Sequence, residues 1–189
     1  MDNGSESYKR FLDGDDTGME DIITEYRDGL IFYLHKLVGS IEKAEELAED
    51  TFVLLCIKKP KDKQKCSFKT WLYTIGRNLA IDYLRRSAKQ ITMPLDTYDT
   101  LCSDQDSPEE EYIRNSKKTI VNKALNKLKS EYRQVLWLLY FEDLQYKEIS
   151  IIMNKSVHAT QMLASRAKQA LKNELIKEGF TNETYSKNN

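Results

Sequence analysis

Apolar residues recur at helical spacing through most of the chain, and no run alternates apolar and polar residues as an exposed strand does. Seven glycines and three prolines among 189 residues favour long helices and few turns. We predict an all-α protein whose first residues, 1–19, are polar and loosely ordered at their beginning. Helices are expected from about 20 to a stop at Gly39, then from a cap at Ser40, then at 68–86, 117–128, 131–141, 145–153 and 157–176.

The segment FKTWLYTIGRNLAIDYLRR, residues 68–86, forms a helix with two different faces. Its apolar stripe comprises Leu72, Ile75, Leu79 and Tyr83, and its opposite stripe comprises Trp71, Thr74, Asn78, Asp82 and Arg85. An aromatic ring can stack on a base, an amide can bond a base edge, and cations can contact phosphates. The stripe therefore indicates a nucleic-acid surface. The alternative is a tryptophan that packs against a neighbouring loop beside solvated arginines.

Charge is strongly segregated along the chain, although the net charge is only −1. The net charge is −9 over residues 1–57, +8 over 58–90, −6 over 91–116 and +6 over 117–189. Two basic blocks separated by acidic ones indicate two nucleic-acid surfaces, although such blocks also occur as plain solvated surface. The acidic stretch 91–116 contains Pro94 and Pro108 and has no sustained period, so we predict a linker between two small helical domains.

The segment YKEISIIMNKSVHATQMLASRAKQALK has the pattern of a helix-turn-helix. Ile149 and Ile152 face inward on its first helix, Asn154 suits a left-handed turn, and Ser156 can cap the second helix. In such a motif the outer face of the second helix enters the major groove. An ordinary helical hairpin at the surface is the alternative. The outer face comprises His158, Gln161, Met162, Ser165, Arg166, Gln169 and Lys172.

Composition argues against several classes of function. The longest apolar run, Val135 to Phe141, is too short to span a bilayer, and the polar start does not resemble a signal peptide, so we expect a cytoplasmic protein. Three distant cysteines and two histidines, with no C-x-x-C, predict reduced thiols and no metal site. The chain has no glycine-rich phosphate loop and no nucleophile paired with a base. We therefore expect no enzymatic activity, no cofactor, no membrane contact and no small-molecule substrate.

Three motifs in this order resemble a bacterial RNA polymerase sigma factor of the sigma-70 family, with the short build of the extracytoplasmic-function group. AEELAEDTF, residues 44–52, is similar to the family's A-E-D-L-x-Q-E-x-F. WLYTIGRNLAIDYLRR, residues 71–86, follows W-L-x-x-I-A-R-N-x-x-x-D-x-x-R-R closely. YRQVLWLLYFEDLQYKEISIIM, running on to SRAKQAL, is similar to the family's second domain. The resemblance covers about 20–88 and 117–176.

The resemblance implies a transcription initiation factor that binds RNA polymerase core and directs it to promoters. Residues 1–90 would be the region 2-like domain that binds core and opens the −10 element, 91–116 an acidic linker, and 117–189 the region 4-like domain that reads the −35 element. The partners implied are the clamp helices and flap of the polymerase, promoter DNA, and an anti-sigma factor, which is common in this group. A sigma-like regulator needing a partner subunit and a free-standing helix-turn-helix regulator are the alternatives.

The resemblance also assigns residues to each surface. In the recognition helix, however, the usual T-V-K-S-R is replaced by residues 159–163, ATQML, so we expect −35 contacts that are weak or of unusual sequence. The core-binding residues would be Glu45, Glu46, Glu49 and Asp50. The −10 residues would be Lys69, Trp71, Arg77, Asn78, Arg85 and Arg86. The −35 residues would be His158, Gln161, Met162, Ser165, Arg166, Lys168 and Lys172.

Overall fold

The computed structural model describes residues 3–60, 66–91 and 115–178, and all regular secondary structure within these ranges is α-helical. The predicted acidic linker falls almost entirely outside the described residues, as do part of the basic loop before the Trp71 helix and the polar tail. No described helix combines the length and apolar character needed to cross a membrane. The helices are α1 (Asn3–Leu12), α2 (Thr17–Val38), α3 (Ile41–Lys58), α4 (Phe68–Ile91), α5 (Asn115–Asn126), α6 (Ser130–Tyr140), α7 (Tyr146–Ile152) and α8 (Val157–Lys177).

The predicted loose start of the chain is wrong, because α1 is a helix packed against the first domain. Tyr8 and Phe11 of α1 are buried, with 1% and 7% of their surface exposed. Two of the three glycines in residues 1–19 lie where helices pack closely. A Cβ on Gly4 would overlap the ring of Phe68, and one on Gly18 would overlap the backbone of Ser7. These glycines let helices approach each other, so they do not mark a turn-rich segment.

The boundary between α2 and α3 is formed by the two residues that the sequence predicts for it. Gly39 adopts a left-handed φ of 80°, and its N–H donates to the carbonyl of His35 at 2.9 Å. A residue with a Cβ would be strained in this conformation. Ser40 then caps α3, because its Oγ accepts from the N–H of Lys43 at 3.2 Å. Both predicted helix ends are confirmed.

The two groups of helices share one continuous core. Leu30, Leu34 and Leu72 are fully buried among α1–α4, and Leu138 and Ile149 are fully buried among α5–α8. The groups meet where α2 packs on α6 and where α4 packs on α7. Removal of apolar surface from water, at roughly 25 cal/mol per Å², stabilises each bundle. The architecture is the predicted all-α, two-domain arrangement.

The helix-turn-helix is formed by α7 and α8 as the sequence predicts. Asn154 has a φ of 51° in the turn, which Asn tolerates better than most residues. Ser156 caps α8 by accepting from the N–H of Ala159 at 3.1 Å. Ile149 and Ile152 are buried, with 0% and 1% exposed. The turn therefore places the outer face of α8 toward solvent.

Candidate nucleic-acid and partner interfaces

Helix α4 is buried on more sides than its sequence pattern predicts. The predicted apolar stripe does pack on the core, with Leu72 fully buried and Ile75, Leu79 and Tyr83 partly buried. Thr70 and Tyr73, which lie off that stripe, are also buried, at 0% and 1% exposure. Thr70 is covered by α7 of the second domain, where its hydroxyl donates to Glu148 at 3.1 Å, whereas the Tyr73 ring lies 5.4 Å from that of Tyr33 on α2, centroid to centroid. Only part of the polar circumference of α4 is therefore open to a partner.

Trp71 is half-buried in an aromatic cluster. Its ring lies 5.4 Å from that of Tyr8 and 5.6 Å from that of Phe68, centroid to centroid, and both contacts are edge-on. The tryptophan thus packs against α1 and the start of its own helix. This placement matches the packing alternative more closely than an exposed stacking platform, although the partner is a helix and not a loop. Base stacking by Trp71 stays a prediction.

Asn78, Arg85 and Arg86 form the accessible part of the predicted −10 surface. Residues 71, 78 and 85 are seven apart, about two helical turns, and therefore share a face. Asn78, Arg85 and Arg86 are all exposed. Arg85 pairs with Asp82 at 3.4 Å, but both side chains are more than half exposed, at 64% and 54%. An exposed pair of this kind is weak, so the guanidinium can exchange its partner for a phosphate.

Lys69 and Arg77 lie on the other side of α4. Two residues of separation rotate Lys69 about 200° from Trp71. The Lys69 ammonium pairs with Glu142 of the second domain at 2.7 Å. The Arg77 guanidinium lies near the hydroxyl of Tyr33, where its charge opposes the larger effect of burial, which raises the pKa of Tyr33. Four of the six predicted −10 residues therefore lie along one side of α4, namely Trp71, Asn78, Arg85 and Arg86. The other two, Lys69 and Arg77, lie apart from them.

The predicted core-binding residues lie together on the outer face of α3. Glu45, Glu46, Glu49 and Asp50 are all exposed, and Lys43 forms an ion pair with Glu46. On the opposite side Leu47 and Phe52 are each 6% exposed, as expected for core residues. A groove between α3 and α4 places some of these acids beside the end of the Asn78 stripe. Its lining includes Lys43, Glu46, Asp50, Leu79, Asp82 and Arg86.

The outer face of α8 is open over its whole length. All seven predicted −35 residues, His158, Gln161, Met162, Ser165, Arg166, Lys168 and Lys172, are exposed. Lys168 lies 5.4 Å from the ring centroid of Tyr140, and the neighbouring Tyr140 hydroxyl raises the pKa of this ammonium. Thr160, Ala164 and Ala167 form the buried side of the helix. Tyr140 itself, 60% exposed beside this face, was not among the predicted residues.

These observations define a class of protein: an all-α protein of two domains, with an exposed acidic face on α3 and a helix-turn-helix formed by α7 and α8. Residues 22–90 match the family model of sigma-70 region 2, and residues 118–171 match that of sigma-70 region 4. RNA polymerase sigma factor YlaC of Bacillus subtilis is 31% identical over 160 residues, which cover 84% of this chain and 92% of YlaC. The extracytoplasmic-function sigma factor SigW of Bacillus subtilis is 26% identical over 175 residues, 88% of this chain and 94% of SigW.

Among solved structures, the sigma factor RpoE of Bartonella quintana, in complex with the anti-sigma factor NepR, has the same fold. The TM-score is 0.65 at 23% identity, with 84% of this chain and 98% of that chain covered. The chain belongs to the sigma-70 family, in its extracytoplasmic-function group. It is a promoter-specific transcription initiation factor that binds RNA polymerase and promoter DNA, and it is not an enzyme.

Proposed function

We propose that three surfaces divide the work of initiation: the acidic face of α3 binds polymerase core, the Asn78 stripe of α4 opens the −10 element, and the outer face of α8 reads the −35 element. One observation carries this division. The predicted docking acids, the Asn78, Arg85 and Arg86 side chains, and the recognition residues are exposed on three different helices of one folded chain. Three partners can therefore bind without competing for the same side chains. The proposed domains are residues 1–90 and 117–189, joined by 91–116.

At the −10 element the chemistry is capture of unpaired DNA. Opening a base pair costs a few kcal/mol, and stacking and backbone contacts to the freed strand offset that cost. Asn78 can bond a base edge or the strand, while Arg85 and Arg86 can contact phosphates. Because Trp71 is packed against Tyr8 in the free protein, we propose that the amide and the two guanidinium groups carry the first contacts with the strand.

At the −35 element the recognition helix depends on polar side chains more than on cations. Gln161 and Ser165 can bond base edges, and Met162 can contact a thymine methyl group. Arg166, Lys168 and Lys172 supply the phosphate contacts that position the helix. This surface carries fewer charges than the family pattern, so we propose that the −35 element contributes less to affinity than the −10 element.

The cellular location and the regulation of the protein follow from these partners. We propose that the protein acts in the cytoplasm, where polymerase and promoter DNA are found. RpoE, which shares the fold, is complexed with an anti-sigma factor. We propose that an anti-sigma factor also binds this chain and controls its access to polymerase.

The test is run-off transcription of genomic fragments with core polymerase from the source organism, with and without this protein. We expect discrete new start sites that appear only when the protein is present. No new starts despite tight binding to core would refute the proposal that this chain alone completes the initiating enzyme. Upstream sequences of the new starts would give the promoter elements.

The −10 assignment has a sharper test in Asn78→Ala. We expect impaired strand opening, measured by permanganate reactivity of unpaired thymines, with unchanged binding to core. Asn122→Ala is the matched control, since Asn122 is exposed on α5 and belongs to none of the three surfaces. Normal opening by Asn78→Ala would show that this stripe does not hold the melted strand.

A further inference from the structure

Helix α1 contacts the end of α3. Its Tyr8 side chain is buried, and the Tyr8 hydroxyl donates to the backbone carbonyl of Pro60 at 2.8 Å. One residue earlier, the Lys59 ammonium lies 4.7 Å from the centroid of the Phe11 ring. Lys59 adopts a left-handed φ of 41°, which is unfavourable for a residue with a Cβ unless its surroundings support it. Two side chains of α1 therefore hold the point where the chain leaves α3.

The ring of the same tyrosine contacts the start of α4. The Tyr8 centroid lies 5.6 Å from that of Phe68, which is fully buried, and 5.4 Å from that of Trp71. The Tyr8 and Trp71 rings meet edge-on, with 60° between their planes, and Phe68 meets Trp71 in the same way at 68°. Edge-on contacts between aromatic rings depend on orientation as well as on distance. The Trp71 ring is thus held by two neighbouring rings.

Close packing leaves α1 little freedom to move on α4. A Cβ on Gly4 would overlap the ring of Phe68 and would lie 2.8 Å from the Tyr26 hydroxyl. Tyr26 of α2 in turn contacts Phe68 at 5.6 Å, centroid to centroid. We call the rings of Tyr8, Tyr26, Phe68 and Trp71 the α1 cluster. A shift of α1 would therefore disturb the rings that hold Trp71.

We propose that Tyr8 is a positioning residue for the −10 surface: its ring holds the Trp71 ring in a fixed orientation beside Asn78, so that this surface is formed before DNA arrives. The inference rests on the proposed function of α4. Trp71 and Asn78 share one face of α4, and Trp71 is half-buried, so part of its ring is open beside the exposed amide. Tyr8 is only 1% exposed, which is too little for a contact with DNA of its own.

Preorganisation explains how a buried residue can affect strand opening. A side chain that rotates freely loses rotamer freedom when it contacts the unpaired strand, and this loss lowers its affinity for that strand. A ring that packing has already fixed loses little, so more of its contact energy can offset the unpairing of bases. The proposed core-binding acids lie on α3, between residues 45 and 50. We therefore expect loss of the Tyr8 ring to impair opening and to leave core binding unchanged.

The first measurement is the accessibility and mobility of the Trp71 ring in the free protein, by acrylamide quenching and anisotropy of tryptophan fluorescence. A Trp137→Phe background leaves Trp71 as the only tryptophan of the chain. Tyr8→Leu removes the ring contact and keeps an apolar side chain. We expect it to raise the quenching constant and to lower the anisotropy. Unchanged values in Tyr8→Leu would overturn the positioning role.

The second measurement is opening of a promoter from the run-off assay by the holoenzyme, followed by permanganate reactivity of unpaired thymines. We expect Tyr8→Leu to slow opening several-fold, with unchanged affinity for core. Tyr8→Phe keeps the ring and loses the bond to Pro60, so it should recover most of the opening. If Tyr8→Phe were as defective as Tyr8→Leu, the ring contact would not be the source of the effect.

Two further variants separate positioning from loss of stability. Ser40→Ala removes one hydrogen bond at the opposite end of α3, and we expect it to lower thermal stability without changing Trp71 fluorescence or opening. Gly4→Ala keeps every ring of the α1 cluster but introduces a Cβ against Phe68, so it should act in the same direction as Tyr8→Leu. Opening reduced by Ser40→Ala as strongly as by Tyr8→Leu would mean that general instability, and not ring position, limits opening.

The two measurements also distinguish this inference from the proposed function. A more mobile Trp71 ring together with normal opening would overturn the role of Tyr8 and leave the −10 role of Asn78 intact. Failure of the wild-type protein to open any promoter would refute the proposed function of α4 and the role of Tyr8 in opening together. In that case the fluorescence of Tyr8→Leu still shows whether Tyr8 fixes the Trp71 ring, so the two failures are told apart.

Discussion

Replacement of both Arg85 and Arg86 by alanine should weaken promoter binding without unfolding the protein. Both side chains are exposed, and the ion pair of Arg85 with Asp82 is at the surface. Loss of this pair should cost less than about 1 kcal/mol of stability. Each phosphate contact to a single strand contributes roughly 0.7 to the slope of log affinity against log salt, so two contacts contribute about 1.4. At about 0.15 M salt this amounts to roughly a tenfold loss of affinity, or about 1.4 kcal/mol.

The assay is binding of holoenzyme to promoter DNA with an exposed −10 strand, by fluorescence anisotropy between about 50 and about 200 mM salt. The matched control is Lys9→Ala/Arg27→Ala, which removes two cations of the same domain that belong to α1 and α2. We expect a shallower salt slope and a similar loss on every sequence. An unchanged slope would refute phosphate contact, and a loss confined to particular sequences would mean that the arginines read bases.

Three further outcomes follow from individual contacts. Trp71→Ala should lower the free energy of unfolding by roughly 2 to 3 kcal/mol in urea denaturation, because the contacts with the rings of Tyr8 and Phe68 are lost. This loss is somewhat smaller than that for a fully buried aromatic residue, because Trp71 is half-buried. Ser40→Ala should cost about 1 kcal/mol in the same assay, through loss of the α3 cap, whereas a neutral result would contradict that bond. Glu45→Gln/Glu49→Gln should weaken binding to core polymerase in a salt-dependent way. The control is Glu20→Gln/Glu25→Gln, which makes the same change in charge at exposed positions of α2 and should leave that binding unchanged.

The prediction about Trp71→Ala changes how the −10 surface should be tested. From the helical stripe alone, Trp71 and Asn78 are equally good probes of strand opening. The structure shows that Trp71 also holds α1 in place, so a loss of function in Trp71→Ala would combine instability with lost DNA contact. Asn78 is exposed and separates the two effects.

The start of the chain illustrates where composition is misleading. Scattered glycines and polar residues ordinarily indicate turns and loose structure. Here Gly4 and Gly18 lie where a Cβ would overlap Phe68 and the backbone of Ser7. The sequence does not distinguish a glycine needed for close packing from one needed for a turn, because the difference lies in the atoms that surround the glycine in the folded chain.

The sequence by itself determined the features that depend on residues a few positions apart. The Gly39 and Ser40 boundary, the Asn154 turn and the outer stripe of α8 follow from φ preferences, capping and the helical period, all of which act within a turn or two. Only the tertiary structure decided which parts of α4 are exposed to a partner and which are covered by the second domain. Lys69 meets Glu142 from 73 positions away in the chain, and Ser67 meets Glu148 from 81. The spacing of residues within one helix does not predict a partner at that separation, because the contact forms only after both bundles fold and pack together.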